Sequence, residues 1–321
     1  MQKKIISIVT PCFNEEQGII ECYSAIKNIF DTKLKDYELE HIFCDNASTD
    51  RTVELLKEIA SYDQRVKIII NSRNFGILKN TYNGVVNSSG DAILLFMPVD
   101  LQDPPDLLPS FVKHWEDGYE IVYGIRAQRE ENLLSATARK VYYKLLRQLT
   151  YVNYPLNVGD FQLVDKCVLN AMKQIDDAQP FMRLMTFDVG FKSIGVEYTW
   201  RARKYGKSRN SLGEMFEQGL LGIVSFSGVP LRFAMVMGFI VASVSVLYSV
   251  SVFALTLFGL VQSQAGIPTV IIALFFFGGV QLFFLGVLGE YIFAIYNQVR
   301  RRPLVVERER VNFDTQSKSE K

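Results

Sequence analysis

Apolar positions follow two regimes along this chain. Upstream of Arg232, short apolar runs alternate with amphipathic stretches. A β-branched run at residues 5–10, closed by Pro11, predicts a buried strand, and residues 16–30 carry apolar positions at helical spacing. Residues 38–44 predict a strand, 50–62 a helix, 66–71 a strand, 76–88 a helix and 92–97 a continuous apolar strand. This alternation implies an α/β fold, a mostly parallel sheet with helices on both faces. In such sheets ligands bind beyond the carboxyl ends of the strands.

The second regime is uniform. Residues 233–289 contain no Lys, Arg, Asp or Glu. Spanning a bilayer core about 30 Å thick takes ~20 apolar residues in a helix. Residues 233–259 and 267–295 each reach that length, separated by a short polar break and Pro268. The pattern predicts a two-helix membrane hairpin. Arg232 precedes it, Arg300, Arg301 and Arg302 follow it, and the connecting loop is uncharged. Positive flanks mark the cytoplasmic side, so both ends are expected there. Glu290, near the inner end of the second span, reads either as a functional carboxylate or as an interfacial partner of a nearby Arg. Residues 212–223 place Leu212, Met215, Phe216, Gly219, Leu220 and Ile223 at helical spacing, which suits an interfacial helix or one packed on the soluble part.

Composition sharpens this division. Lys+Arg number 35 against Asp+Glu 34, a net charge of +1, so no global field recruits nucleic acid. Hydrophobic residues at 49% exclude a disordered chain. Cys12, Cys22, Cys44 and Cys167 lack metal-binding spacing and fit reduced, structural thiols, and His41 and His114 form no cluster. The apolar run after Lys3 and Lys4 stops at Phe13 without a small-residue cleavage site, so it reads as a strand rather than a signal peptide.

Four polar segments follow the predicted strands: residues 11–15, 45–50, 73–76 and 99–105. Asp45 and Asn46 suit a base edge or ribose hydroxyls, Arg73 suits a phosphate, and Asp100 with Gln102 suits a hard divalent cation. Each also has a structural reading: Ser48, Thr49 and Asp50 suit a helix cap, and Asp103-Pro104-Pro105 a helix start. The first turn has no glycine until Gly18, which disfavours a dinucleotide fingerprint, and there is no Gly-Lys-Ser/Thr phosphate loop.

Val9-Thr10-Pro11-Cys12-Phe13-Asn14-Glu15-Glu16 and Asp45-Asn46-Ala47-Ser48-Thr49-Asp50 resemble the opening turns of inverting, family-two glycosyltransferases of the GT-A fold. Ser72-Arg73-Asn74-Phe75-Gly76, Asp100-Leu101-Gln102-Asp103-Pro104-Pro105, Gly159-Asp160-Phe161-Gln162 and residues 203–209 are similar to motifs of its polyisoprenyl-phosphate branch, which includes dolichol-phosphate mannose synthases and bactoprenol glucosyltransferases. The paired spans ending in Gly289-Glu290-Tyr291 and Arg302-Pro303 resemble its bacterial members, and the match runs over residues 5–305.

The resemblance implies transfer of a sugar, typically glucose from UDP-glucose, to undecaprenyl phosphate at the cytoplasmic face of a bacterial inner membrane, with inversion. It implies a GT-A domain over residues 1–210, a juxtamembrane helix at 211–230, spans within 231–299 and a basic cytosolic tail at 300–321. Pro11, Asn14, Glu15, Asp45, Asn46, Arg73 and Asn74 would line the nucleotide-sugar pocket, and Asp100 and Gln102 would hold Mg²⁺ or Mn²⁺. Arg126, Arg139 and Arg209 would recruit the lipid phosphate, Arg203 and Lys207 would clamp the diphosphate or the acceptor, and Asp160 would position the acceptor or act as base. Partners are then a nucleotide sugar, a polyisoprenyl phosphate and the bilayer, with no nucleic acid; a homo-oligomer is compatible. One departure bears on metal affinity: the first acid of the family's Asp-x-Asp is Pro98 here. Asp103 and backbone carbonyls are the available supplements.

Two alternatives stand beside this reading. A glycan-extending synthase would carry Gln-x-x-Arg-Trp, which neither Trp115 nor Trp200 completes. A non-catalytic nucleotide-sugar binder is motivated by Pro98.

Overall fold

The computed structural model describes residues 3–128, 155, 158–200, 227–258 and 266–313. The predicted alternation is present through β1 (Lys4–Cys12), α1 (Ile19–Thr32), β2 (Tyr37–Asp45), α2 (Thr52–Tyr62), β3 (Val66–Asn71), α3 (Ile77–Val86) and β4 (Ala92–Leu94). Beyond β4 lie α4 (Leu108–Glu116), β5 (Ile121–Gln128), β6 (Val158–Asp165), α5 (Lys166–Ile175), α6 (Met182–Asp188) and β7 (Ser193–Thr199). Two long apolar helices, α7 (Val229–Leu257) and α8 (Ile267–Val299), precede a final strand, β8 (Glu307–Val311).

The strands form one eight-stranded sheet in the order β7-β5-β6-β4-β1-β2-β3-β8. The β1–β2, β1–β4, β2–β3 and β5–β7 pairs are parallel, so β1 to β4 all end at one edge. β6 enters antiparallel between β4 and β5, making the sheet mixed. β4 is shorter than the predicted 92–97 because its outer half bonds singly to two neighbours: Leu95 N–H to Gln162 O at 2.9 Å and Met97 N–H to Val9 O at 2.8 Å.

β1 and β2 are buried along almost their whole length, which their continuous apolar runs foreshadow. Phe43, Phe111 and Phe161 are among the largest fully buried side chains, and Phe111 and Phe161 meet with ring centroids 5.0 Å apart. Each such burial contributes roughly 1.5–3 kcal/mol. Charged groups inside the sheet are partnered. Glu40 accepts from Ser7 across the β1–β2 register, from the Ser89 hydroxyl at 2.7 Å and from Lys67 at 2.6 Å.

The described residues up to 200 and from 301 onward form one compact unit; those from 227 to 300 form a second. The stretch expected as a basic tail at 300–321 therefore supplies an edge strand: β8 runs antiparallel to β3. Lys57 pairs with Glu309 at 2.7 Å, and Asn312 Nδ2 donates to the carbonyls of Ala60 and Val66.

In the second unit, large apolar side chains stand exposed along both α7 and α8, as on Phe239, Leu247, Phe275 and Leu282. Phe233 and Phe284 meet across the two helices at 6.4 Å, and the Tyr291 hydroxyl donates to Ser227 O at 2.6 Å. Among the described residues, Ala273–Val299 is long and apolar enough to cross a membrane, by length and composition. The apolar stretch of α7, Val229–Ser245, is shorter. Of the juxtamembrane helix expected at 211–230, residues 211–226 lie outside the described residues, and Val229 already opens α7.

His41 is fully buried in β2, stacks on Phe43 at 4.0 Å and shares a 3.0 Å hydrogen bond with Thr10. Burial pulls its pKa down to about 3, against an ordinary 6.5. The unfolded chain therefore takes up a proton here that the fold refuses, and stability falls as pH drops below the unfolded value. Thermal unfolding should show a loss of about 2 kcal/mol from this group between pH 7 and pH 5. His41→Gln should lose that part of the pH dependence; an unchanged pH profile would count against the assignment.

Candidate functional site

A turn that follows a buried parallel strand must satisfy its own backbone. Here each of the four turns beyond β1 to β4 carries one residue at positive φ: Asn14 (55°), Ala47 (63°), Gly76 (87°) and Leu101 (53°). Three of these are not glycine, and such backbone persists only where its surroundings over-determine it, a condition met most often at functional sites.

The first two turns are laced together by side chains. Asn14 N–H donates to Ser48 Oγ at 2.9 Å, and Thr49 N–H donates to Asn14 Oδ1 at 2.7 Å. Glu15 N–H donates to Thr52 Oγ1 at 2.8 Å and Glu16 N–H to Asp50 Oδ2 at 3.2 Å. Asp50 also receives Thr52 N–H at 3.0 Å, although the residue that caps α2 is Arg51 and its side chain makes no cap bond. Pro11 lies within β1, opposite Cys44.

The third turn rests on a chain of asparagines. Asn71 Nδ2 donates to Asn80 Oδ1 at 2.8 Å and to Asn46 Oδ1 at 3.3 Å. Asn46 Oδ1 also receives Phe75 N–H at 2.9 Å, and Asn46 Nδ2 donates to Asn74 Oδ1 at 2.8 Å. Asn74 Oδ1 in turn receives Gly76 N–H at 2.8 Å. Asn46, through both ends of its amide, and Asn74, through its Oδ1, thus hold this turn. Arg73 is exposed, stacked on Phe75 at 3.9 Å, and presents its guanidinium at the sheet edge. Asn71 and Asn80 lie inside predicted elements, where a polar side chain carries no motif signal.

Asp45 is fully buried; its Oδ2 accepts Ser48 N–H at 3.0 Å, whereas Oδ1 is buried with no partner. Burial raises its pKa above the ordinary value. An unpaired buried acceptor of this kind is rare in a folded chain, and it lies at the end of β2.

In the fourth turn Leu101 N–H donates to Pro98 O at 3.1 Å and Gln102 N–H to Asp100 Oδ1 at 3.2 Å. Asp103 is 1% exposed and bonds Arg126 Nη2 at 3.1 Å and the Tyr198 hydroxyl. It is therefore committed to the sheet rather than offered as a supplementary metal ligand. Among the described residues no group of three His, Cys, Asp or Glu side chains suits a metal ion. A cation would rest on Asp100, Gln102 and its own phosphate and water ligands. Pro104 and Pro105 open a 3₁₀ turn, Pro105–Leu107, leading into α4, so the helix-start reading holds.

On β6, Asp160 Oδ2 receives Arg183 Nη2 at 2.6 Å, while Asp160 Oδ1 is buried without a partner. Since Leu95 bonds Gln162, Asp160 lies on the side of Gln162 toward the 98–103 turn. Arg183 and Tyr198 belong to the site although no sequence motif marked them. Arg139, Arg203, Lys207 and Arg209 lie outside the described residues.

The asparagine chain yields a direct expectation. Asn46→Ala removes the acceptor of Phe75 N–H and one of two partners from each of Asn71 and Asn74, which should cost about 1–3 kcal/mol. Hydrogen exchange should accelerate in the peptide covering residues 72–76; exchange unchanged from wild type would show that the turn is held otherwise.

Comparison with known proteins agrees with this geometry. The family model for glycosyl transferase family 2 matches residues 7–172. An uncharacterized glycosyltransferase of Bacillus subtilis is 37% identical over 301 residues, covering 94% of this chain and 92% of that one. A prophage-derived bactoprenol glucosyl transferase of Shigella flexneri is 35% identical over 300 residues, covering 93% and 96%. Among solved structures, glucosyl-3-phosphoglycerate synthase of Mycobacterium tuberculosis superposes with a TM-score of 0.51 at 24% identity, over 70% of this chain and 80% of that one, a likeness of fold. The sheet, its four strand-end turns and these relatives together establish that the chain is a glycosyltransferase and belongs to glycosyl transferase family 2.

Proposed function

We propose that this glycosyltransferase moves a sugar, glucose from UDP-glucose, onto undecaprenyl phosphate at the cytoplasmic face of a bacterial inner membrane. The observation that carries this reading is similarity over nearly the whole chain, apolar helices included, to bactoprenol glucosyl transferases. A lipid acceptor and a water-soluble donor meet only at an interface, which gives a catalytic sheet joined to apolar helices a purpose.

The donor side follows from the turns. The unpartnered Asp45 Oδ1, once uncovered, suits the imino N–H of a uracil ring, and Arg73 suits the diphosphate. Asp100 and Gln102 would hold Mg²⁺ or Mn²⁺, which offsets charge on the departing diphosphate. With Pro98 in place of an acid and Asp103 paired to Arg126, Asp100 is the carboxylate this turn would offer a cation. The acceptor phosphate is already ionised near neutral pH and needs no proton removed. Its oxygen attacks the anomeric carbon in line as the bond to the diphosphate breaks, which inverts the configuration. Asp160 positions the acceptor, and the basic residues Arg139, Arg203, Lys207 and Arg209 attract its phosphate and the diphosphate.

Both helices span the bilayer as a hairpin, with the domain over 1–210 and the segment after Arg302 on the cytoplasmic side. The weak metal turn favours one competitor, a membrane-anchored nucleotide-sugar binder without turnover.

Membranes containing the protein, incubated with labelled UDP-glucose, Mn²⁺ and undecaprenyl phosphate, should form a labelled lipid. Donor binding without product from any nucleotide sugar would favour the non-catalytic binder. A reporter fused after Arg302 should read cytoplasmic, and a periplasmic reading would overturn the hairpin.

A further inference from the structure

Arg126 is the described basic residue with the strongest claim to the acceptor phosphate by motif, yet two of its three guanidinium nitrogens are spent internally. Nη2 lies 3.2 and 3.1 Å from the two Asp103 oxygens, and Nε donates to the Tyr198 hydroxyl at 3.0 Å. Tyr198 donates its own proton to Asp103, closing a three-membered ring of hydrogen bonds among β5, β7 and the fourth turn. The guanidinium also faces the Trp200 ring at 5.3 Å.

The surrounding backbone is shaped to admit this ring. A Cβ at Gly159 would stand 3.2 Å from Arg126 Nη2, and one at Gly124 would stand 2.6 Å from Tyr198 Cε1. The glycines of Gly124-Ile125-Arg126 and Gly159-Asp160 are thus explained by room for the guanidinium and the tyrosine ring. Asp103 is the residue next to Gln102, in a turn whose Leu101 holds positive φ and whose Gln102 N–H bonds Asp100.

We propose that Arg126 is a positioning residue for the donor side: through Asp103, with Tyr198 as brace, it sets the turn that presents Asp100 and Gln102 to the donor diphosphate and its cation. This rests on the glycosyl-transfer reading for what the turn holds. A guanidinium suits the task because its planar fork engages a carboxylate and a phenol at fixed angles, which a lysine does not reproduce.

The test uses the full-length protein, with UDP, Mn²⁺, UDP-glucose and undecaprenyl phosphate as probes. Arg126→Lys and Asp103→Asn should each weaken binding of UDP with Mn²⁺ about tenfold, read by calorimetry and Mn²⁺ resonance. The KM for UDP-glucose should rise in parallel, and the KM for undecaprenyl phosphate should stay within about twofold of wild type. The double variant should be no worse than the poorer single variant, since both remove one interaction. Tyr198→Phe deletes only a hydroxyl and should shift the same constants by about threefold, which keeps the test intact if the ion-pair variants fail to fold. Arg126→Lys raising the acceptor KM alone would overturn the proposal and return Arg126 to the lipid phosphate. Wild-type failure to bind UDP with Mn²⁺ would overturn it as well. If binding shifts as expected but no lipid product forms, the transfer reading fails and the positioning role stands.

Discussion

Backbone amides at the ends of buried parallel strands have lost their ladder partners and cannot reach water freely. Everything distinctive about the site follows from how β1 to β4 meet that constraint. Their turns borrow side-chain acceptors from one another: Asn14 from Ser48, Glu16 from Asp50, Phe75 from Asn46. Each loan ties two turns, so the first three behave as one surface, while the fourth is held to β5 and β7 through Asp103. Leaving such a group unpaired in the interior costs about 1–3 kcal/mol, more than a typical hydrogen bond contributes when made. The lattice is therefore worth more as a shape than as a sum of bonds.

The same economy governs charge. Glu40 with Lys67 and Asp103 with Arg126 place carboxylates inside the sheet unit only in company. Removing one member of a buried pair typically costs about 3–5 kcal/mol because the other is left uncompensated. Asp45 and Asp160 differ: each keeps one buried oxygen unpartnered.

Much of this was legible in the sequence because it is local. A β-branched run followed by Pro11, Asn14 and Glu15 writes a strand and its turn in consecutive residues, and the same holds at Asp45–Asp50 and Asp100–Asp103. What was not legible is pairing across distance. Asp103 meets Arg126 and Tyr198, 23 and 95 positions away, and nothing local distinguishes an arginine that holds a carboxylate from one that awaits a phosphate. The asparagines fall in the same class: Asn71 ends a strand and Asn80 sits in a helix, so their link appears only once α3 packs on the sheet. β8 was hidden by composition. Glu307-Arg308-Glu309-Arg310 reads as a solvated tail, yet an edge strand facing water tolerates charge, and Glu307 with Arg310 pairs at 2.5 Å.

That last strand has a consequence in time. β3 is completed early in synthesis, but its outer neighbour emerges only after both long apolar helices have been made. At about 5–20 residues per second the interval is on the order of tens of seconds, during which the edge of β3 lacks its outer neighbour. An open edge is a template for strands of other chains. The edge beside β3 is therefore closed only after both apolar helices have been made, and the site acquires its final border last.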